Sequence, residues 1–393
     1  MELAVRLRAR EGVVASRRIR SEMVLVTIVI PCFQERDFIR SCLESVISFE
    51  LPPETTTEIL VVDGMSTDGT REIVDELAKT FPTIRRVDNI NRTQSAALNL
   101  GINLGRGEYL LRLDAHSVYP SDYLIRTLET ARRTGAHNTG GVVTTLKRGS
   151  GFQAGVVQAL VTHPFGVGNS GFRTGAREGP ADTVPYGCFR MSLFDRVGFF
   201  DERLIRAQDY EMNRRIVAAG GKVWCNPEIV VHYYPQPDLP SFLKKQVMSE
   251  APYNAYMWYL APYSFAPRHA ITAFFAFGVI AGLLLSPVSA AIRWSFIAVM
   301  ALYFLLAIIS ATQQAVRYGN VLYVIALPPA FFSYHFLHGI GILGGLVSLL
   351  AGTAPVQKKR EPWPGAGRFR AFPVPAGSPL GISSQHTGNS QVR

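Results

Sequence analysis

Charge is scarce in this chain. Only 18% of its 393 residues are Asp, Glu, Lys or Arg, against roughly 25% in ordinary soluble domains, and mean hydropathy is positive at +0.13. A disordered chain is excluded, because disordered chains lack the apolar residues that make up 48% here. A small stapled scaffold is excluded by length, which lets the chain bury a large core. Cysteine is rarer still. Cys32, Cys42, Cys188 and Cys225 form no CxxC pair and no ligand-like spacing with histidine, so they read as reduced, mostly buried thiols. No signal peptide is visible: the run Val24–Ile30 is too short, stops at Pro31 and reads as a buried strand. No internal repeat is apparent.

What charge there is leans basic, with 40 Lys and Arg against 30 Asp and Glu, a net +10. Arg6, Arg8, Arg10, Arg17, Arg18 and Arg20 crowd the first 22 residues, and Lys358, Lys359 and Arg360 follow the last apolar stretch. Basic flanks beside apolar segments fit an anionic membrane surface better than a nucleic-acid groove, although a plain solvated charge run also explains the first cluster.

Three zones follow along the chain. From 23 to 235, short apolar runs alternate with helical stretches: strands at Val24–Ile30, Glu58–Val62, Ile84–Val87 and Tyr109–Leu113, with helices around Asp37–Ser48, from Thr70, and over Thr93–Leu104. Buried runs alternating with helices imply an α/β domain with a mainly parallel sheet, whose ligands sit at the strands' carboxyl ends. Segment 236–268 mixes Lys244 and Lys245 with Tyr253, Tyr256, Trp258, Tyr259 and Tyr263, an interfacial belt or an amphipathic core helix. The zone 269–353 is the membrane domain. Ala270–Pro287 and Trp294–Ser310 are apolar, no Asp, Glu, Lys or Arg occurs from Tyr318 to Gln357, and Pro328-Pro329 split the last stretch to leave Ala330–Leu350. That makes about three spans. Three spans put Lys358, Lys359 and Arg360 opposite a cytoplasmic N-terminal domain, against the positive-inside tendency, unless the last segment is re-entrant. The Pro/Gly/Ser-rich residues 354–393 read as a disordered tail.

Polar residues that can carry chemistry cluster at strand ends. Asp114 and His116, two apart after a strand, point to one face, and a carboxylate with an imidazole can hold a divalent cation while a phosphate supplies further ligands; ordinary satisfied polar residues explain such a pair equally well. The run Asp63-Gly64-Met65-Ser66-Thr67-Asp68-Gly69-Thr70 ends a strand and opens a helix, as a nucleotide-contacting turn, as an N-cap by Asp68 or Thr70, or as both.

Together these stretches resemble the family 2 glycosyltransferases, which use the GT-A nucleotide-sugar fold. Ile30-Pro31-Cys32-Phe33-Gln34-Glu35 matches the family's opening strand and its acidic residue. Val61 to Thr70 matches the motif usually written VDDGSTDGT, with Gly64 in place of the second Asp, so the base-contact role passes to Asp63 alone. Gln94-Ser95-Ala96-Ala97-Leu98-Asn99-Leu100-Gly101 resembles the donor-side helix, and Asp114-Ala115-His116 stands where many members carry DxD. Within the family, Asp114 to Ser117, Asp182 to Arg190 and Gln208-Asp209-Tyr210-Glu211-Met212-Asn213 are most similar to the succinoglycan-type exopolysaccharide glycosyltransferases.

The resemblance implies a set of roles. Pro31, Glu35, Asp63, Ser66, Asp68, Gln94, Asp114 and Ala115 would face the nucleotide sugar. Asp114 and His116 would hold Mg²⁺ or Mn²⁺, joined by His232, which otherwise reads as a structural hydrogen-bonder. Asp209 would be the general base, or else the N-cap of a helix over Tyr210–Ala218, with Glu211 a second acid or a solvated residue. Tyr186, Gly187 and Arg190 would flank the acceptor, unless Gly187 is a turn. The QxxRW motif of processive synthases is absent, which favours single-sugar transfer. The implied activity is inverting transfer from a UDP-sugar to a lipid-linked saccharide at the inner cell membrane, with a cytoplasmic, multi-pass-anchored catalytic domain and no nucleic-acid partner. Transfer to polyprenyl phosphate, or a non-catalytic scaffold on a degenerate nucleotide-sugar fold, are the alternatives.

Overall fold

The structure, a computed structural model, describes residues 23–168 and 170–358. The basic segment 1–22, and Lys359, Arg360 and the tail beyond them, lie outside the described residues.

The apolar runs of the first zone become strands β1 (Val24–Cys32), β2 (Thr55–Asp63), β3 (Ile84–Asp88), β4 (Tyr109–Arg112), β5 (Asn138–Thr145), β6 (Gly179–Pro180), β7 (Cys188–Arg190) and β8 (Val223–Tyr233). They form one sheet in the order β3-β2-β1-β4-β7-β5-β8-β6. β3, β2, β1 and β4 are mutually parallel, as are β5 and β8; β7 runs antiparallel between β4 and β5, and β6 antiparallel beside β8.

The central strand β1 shows why the sheet is buried on both faces. Val26, Ile28 and Ile30 point into one core with Leu43, Val74 and Leu124. Val29 points into the other with Leu98, Met212 and Ile216. Period-two alternation in a mostly apolar strand therefore feeds two cores at once. Helices α1 (Ile39–Ile47), α2 (Thr70–Thr80) and α4 (Tyr123–Thr134) cover the first face. Helices α3 (Gln94–Leu104) and α6 (Gln208–Ala218) cover the second, while α5 (Phe152–Val161) packs toward the C-terminal helices.

Beyond β8 come Leu239–Lys245, a π-turn at Gln246–Glu250, α7 (Ala251–Leu260) and the short turn Pro262–Ser264. Of the aromatics in this segment, Tyr253 and Tyr256 are buried in a cluster with Leu204, whereas Tyr259 is exposed. Three helices then follow that are long and apolar enough to cross a membrane: α8 (Pro267–Leu285), α9 (Ala290–Tyr318) and α10 (Tyr323–Leu350).

The expected break at Pro328-Pro329 does not occur, because α10 runs through both prolines. Leu327 and Phe331, on either side of the pair, are fully buried against Val157 and Leu160 of α5. Here packing outweighs the helix-breaking tendency of proline, as it does in apolar surroundings that re-satisfy the freed carbonyls.

Candidate active site

The loops after β1 and β2 are laced together before any ligand is considered. Gln34 N–H donates to Ser66 Oγ at 2.9 Å, Glu35 N–H to Thr70 Oγ1 at 2.9 Å and Arg36 N–H to Asp68 Oδ2 at 3.1 Å. Asp63, fully buried, accepts from Ser66 N–H at 3.0 Å and lies 3.4 Å from Arg71. Asp63, Ser66 and Asp68 thus help to shape the turn that presents Glu35. The helix cap there is Gly69, at φ +102°, with Asp68 accepting from Thr70 N–H at 3.1 Å. Gly69 needs that freedom because L side chains rarely adopt such a φ.

A cavity of about 1360 Å³ lies over the carboxyl ends of β1 and β4 and brings Glu35, Gln94, Asp114, His116, Tyr186 and Asp209 into one wall. Gln34, Tyr186 and Ala207, all non-glycine residues at positive φ, sit beside it, the local strain that often marks a working site. Asp114 is positioned through its backbone: Tyr119 Oη accepts from Asp114 N–H at 2.8 Å. Its Oδ1 accepts from Gln94 Nε2 at 3.1 Å and meets Arg112 Nη2 at 2.7 Å. His116, exposed at the rim, has Nδ1 3.0 Å from Glu35 Oε1, and this hydrogen bond pushes its pKa upward.

Asp209 is not an N-cap. Ala207 caps α6, and Asp209 falls in the first turn, where the helix dipole favours a carboxylate. Its Oδ2 lies 3.3 Å from Arg112, and its Oδ1 is buried without a hydrogen-bond partner. Burial raises its pKa, Arg112 opposes that rise, and Asp114 adds to it. Glu211 is no solvated residue either: it is buried in an ion pair with Arg215 and accepts from Tyr263 Oη.

Several sequence expectations do not converge on this wall. His232 would join Asp114 only if β8 returned beside β4, but β7 and β5 lie between them. Tyr233, its neighbour in the strand, lines the cavity instead, so His232 points to the opposite face. Arg190 pairs across the sheet with Tyr109, at the start of β4 away from Asp114, and stacks on that ring at 5.6 Å. Gly187 is a close-packing position: a Cβ there would stand 2.3 Å from Asn138 Oδ1. Pro31 lies within β1, and Ala115 is buried beneath Asp114. Among the described residues no three His, Cys, Asp or Glu side chains form a metal cage by themselves.

Sequence reasoning passed over Arg112. Its guanidinium is buried, bridges Asp114 and Asp209, and lies 5.2 Å from the Tyr186 ring. The signal was present, since a residue two before Asp114 at a strand end shares its face. Gln208, whose Nε2 donates to Gln94, was passed over as well.

The cavity does not end at the sheet. Arg206, Lys245, Arg268 and His269 line its middle, and Phe275, Tyr303, Tyr334, His335 and His338 of the long apolar helices line its far end.

Comparison with known proteins matches this arrangement. Residues 27–199 match the model for Glycosyl transferase family 2. The succinoglycan biosynthesis protein ExoA of Rhizobium meliloti is 37% identical over 54% of this chain and 64% of its own, just under two thirds of that relative. A Methanococcus voltae protein named dolichyl N-acetyl-alpha-D-glucosaminyl phosphate 3-beta-D-2,3-diacetamido-2,3-dideoxy-beta-D-glucuronosyltransferase is 29% identical over 83% of this chain and 98% of its own. Among solved structures, the mannosyltransferase PcManGT of Pyrobaculum calidifontis, in complex with GDP-Man and Mn²⁺, superposes with a TM-score of 0.51 at 18% identity, over 84% of this chain and 88% of its own. Residues 27–199 thus resemble the family 2 glycosyltransferases, on a GT-A fold, and three apolar helices long enough to cross a membrane follow.

Proposed function

We propose that this chain is a membrane-anchored, inverting glycosyltransferase that moves a single sugar from a UDP-linked donor to a lipid-linked saccharide. The supporting observation is the one cavity that joins Asp114, His116 and Asp209 to the walls of the apolar helices. A water-borne donor and a lipid-borne acceptor need such a shared space. The names of the relatives point the same way, one to succinoglycan biosynthesis and one to a dolichyl-phosphate-linked acceptor.

Asp209 is the general base in this reading. Its unpartnered Oδ1 takes the proton of the acceptor hydroxyl as that oxygen bonds to the anomeric carbon and the bond to the diphosphate breaks. One in-line displacement inverts the centre, and base assistance of this kind is worth roughly 10²–10⁴-fold. Arg112 opposes the rise in pKa that burial and the nearby Asp114 impose on Asp209.

A divalent cation, Mg²⁺ or Mn²⁺, fits the donor set of Asp114 and His116, with the donor's diphosphate completing the ligands. Glu35 on Nδ1 holds the imidazole with Nε2 outward, the arrangement that orients metal-ligating histidines. When bound there, such an ion would supply charge to offset that of the departing diphosphate. The cytoplasmic, inner-membrane placement belongs to the same proposal, and nucleic acid plays no part in it.

Membranes containing the chain, supplied with labelled nucleotide sugars, should pass label into the lipid fraction. Asp209→Asn should abolish transfer while leaving nucleotide binding intact. Asp114→Ala behaving as the parent in active membranes would sink the enzyme reading.

A further inference from the structure

The three long helices are all apolar enough to cross a membrane, but they differ in what they touch. α8 and α9 form a hairpin. Arg268 at the start of α8 pairs with Asp182, and His269 packs edge-on against Tyr210. At the end of α9, Gln314 and Arg317 donate to the carbonyls of Ala159 and Thr162, and Tyr318 Oη bonds Thr162. Between these roots the hairpin leaves the catalytic domain. Leu283, Leu284, Val288 and Trp294 are exposed around its turn, and the contact there is within the hairpin, where a Cβ on Gly282 would strike the Phe296 ring.

α10 behaves otherwise. Its first residue, Tyr323, lies against Phe152 of α5 and fills the space over Gly155. One turn or two further, Leu327 and Phe331 share a core with Val157 and Leu160. Tyr334 packs on Phe242, and His335 Nε2 lies 3.1 Å from Gly166 O. Gly341 and Gly345 then let the helix backbone close on Val247, Ala251 and Pro252 of the segment that precedes the hairpin. Past its C-terminal end, Ala354 and Val356 are buried with Leu204, Tyr253 and Tyr256, beside the loop that leads to Asp209.

A 28-residue helix is about 42 Å long at 1.5 Å per residue, more than the roughly 30 Å hydrocarbon thickness. Were it upright across a bilayer, one end would stand on the far side, out of reach of the catalytic domain. Instead both ends and every stretch between touch that domain or the segment that enters the hairpin. On its other side, α10 packs on the half of the hairpin nearer the catalytic domain, through Thr272, Phe275 and Ala276 of α8 and from Tyr303 to Ala311 of α9, while the described contacts leave the hairpin's turn free of it.

We infer that only α8 and α9 cross the bilayer, and that α10 lies in the plane of its surface as the floor between catalytic domain and lipid. The partner of its remaining exposed apolar residues, Ile325, Leu346, Val347 and Leu350, is the lipid surface, as for other in-plane helices. Two crossings bring Lys358 to the side of the catalytic domain. The conflict with the positive-inside tendency that three spans create then disappears. This inference rests on helix packing and does not depend on the transferase reading.

The test is sidedness of labelling in sealed vesicles with the catalytic domain outward. The native cysteines Cys32, Cys42, Cys188 and Cys225 are all buried, so the parent chain serves as the background. A membrane-impermeant maleimide should label Leu51→Cys and Thr353→Cys without detergent, and Val288→Cys only once detergent opens the vesicle. Should Thr353→Cys need detergent, α10 crosses and the inference falls. Should Val288→Cys label without it, the hairpin does not cross, and the inference falls equally. An epitope tag after residue 393 of the unsubstituted chain gives a readout that needs no folded variant: external protease removes it if the inference holds, and a protected tag overturns it.

Discussion

Arg112 Nη2 stands 3.3 Å from Asp209 Oδ2 while holding Asp114 Oδ1 at 2.7 Å. One buried cation therefore serves both the carboxylate proposed to hold the donor's metal and the one proposed as base. Removing one member of a buried ion pair costs about 3–5 kcal/mol, since the other charges stay behind unpaired. Arg112→Ala should lower thermal stability by that order and abolish transfer. Arg112→Lys keeps charge but not the planar fork, so it should recover most of the stability and little of the activity. A Lys variant with parental turnover would show that the geometry of the bridge is irrelevant.

Asp209 yields a pH prediction. Its pKa is raised, chiefly by burial, so the proton returns at a higher pH than for an ordinary carboxylate near about 3.9. A base must be ionised to act, so kcat/KM should fall as pH drops through that raised value, with the acidic limb displaced upward. Stability runs in the opposite sense: a carboxylic acid with a raised pKa favours the folded state below that value and disfavours it above. Arg112→Ala removes the charge that opposes this rise and should move the titration of Asp209 further toward neutrality, read by following the carboxyl group itself rather than turnover.

His232 and Arg190 should prove dispensable for chemistry. Two strands separate His232 from Asp114, and Arg190 rests on Tyr109 at the other end of β4. His232→Ala should leave the Mn²⁺ concentration for half-maximal transfer unchanged, and Arg190→Ala the acceptor KM. A marked rise in the metal requirement of the His232 variant would restore it as a ligand.

Gly187 should be intolerant for a reason unrelated to acceptor contact. A methyl there collides with buried Asn138, whose Nδ2 donates to Asn213 Oδ1 of α6 at 2.6 Å. Overpacking of this kind costs typically about 1–3 kcal/mol. Gly187→Ala should lower the unfolding temperature and depress kcat by shifting the helix that carries Asp209, while acceptor KM holds steady. A KM effect without loss of stability would return Gly187 to the acceptor side.

The strands, the helices and the carboxyl-end location of the site were legible because apolar periodicity and motif spacing are local properties. The roles of Asp63, Ser66 and Asp68 were not. Their types suit a nucleotide turn, but only the meeting of two loops distant in sequence reveals that Ser66 and Asp68 accept from the backbone N–H groups of Gln34 and Arg36, while Asp63 holds Ser66 N–H and lies beside Arg71. His232 was misplaced for a related reason: a strand's position in the sheet order is set by long-range pairing, and β7 enters between β4 and β5 from much later in the chain. Pro328-Pro329 read as a break because propensity is visible in sequence, whereas the Val157 and Leu160 packing that holds the helix together is not.

The contact of Tyr263 with Glu211 has a mechanical meaning. Glu211 is fastened to Arg215, which also donates to the Val197 carbonyl, and Tyr263 precedes the first long apolar helix by a few residues. The first turn of α6 and the root of the hairpin are consequently one stiff piece. Spanning helices adjust to lipid thickness by tilting, at fractions of a kcal/mol per ångström of mismatch. If the hairpin crosses a bilayer as proposed, such a tilt would reach the carboxylate of Asp209 through this link, and transfer should vary with the thickness of the surrounding lipid.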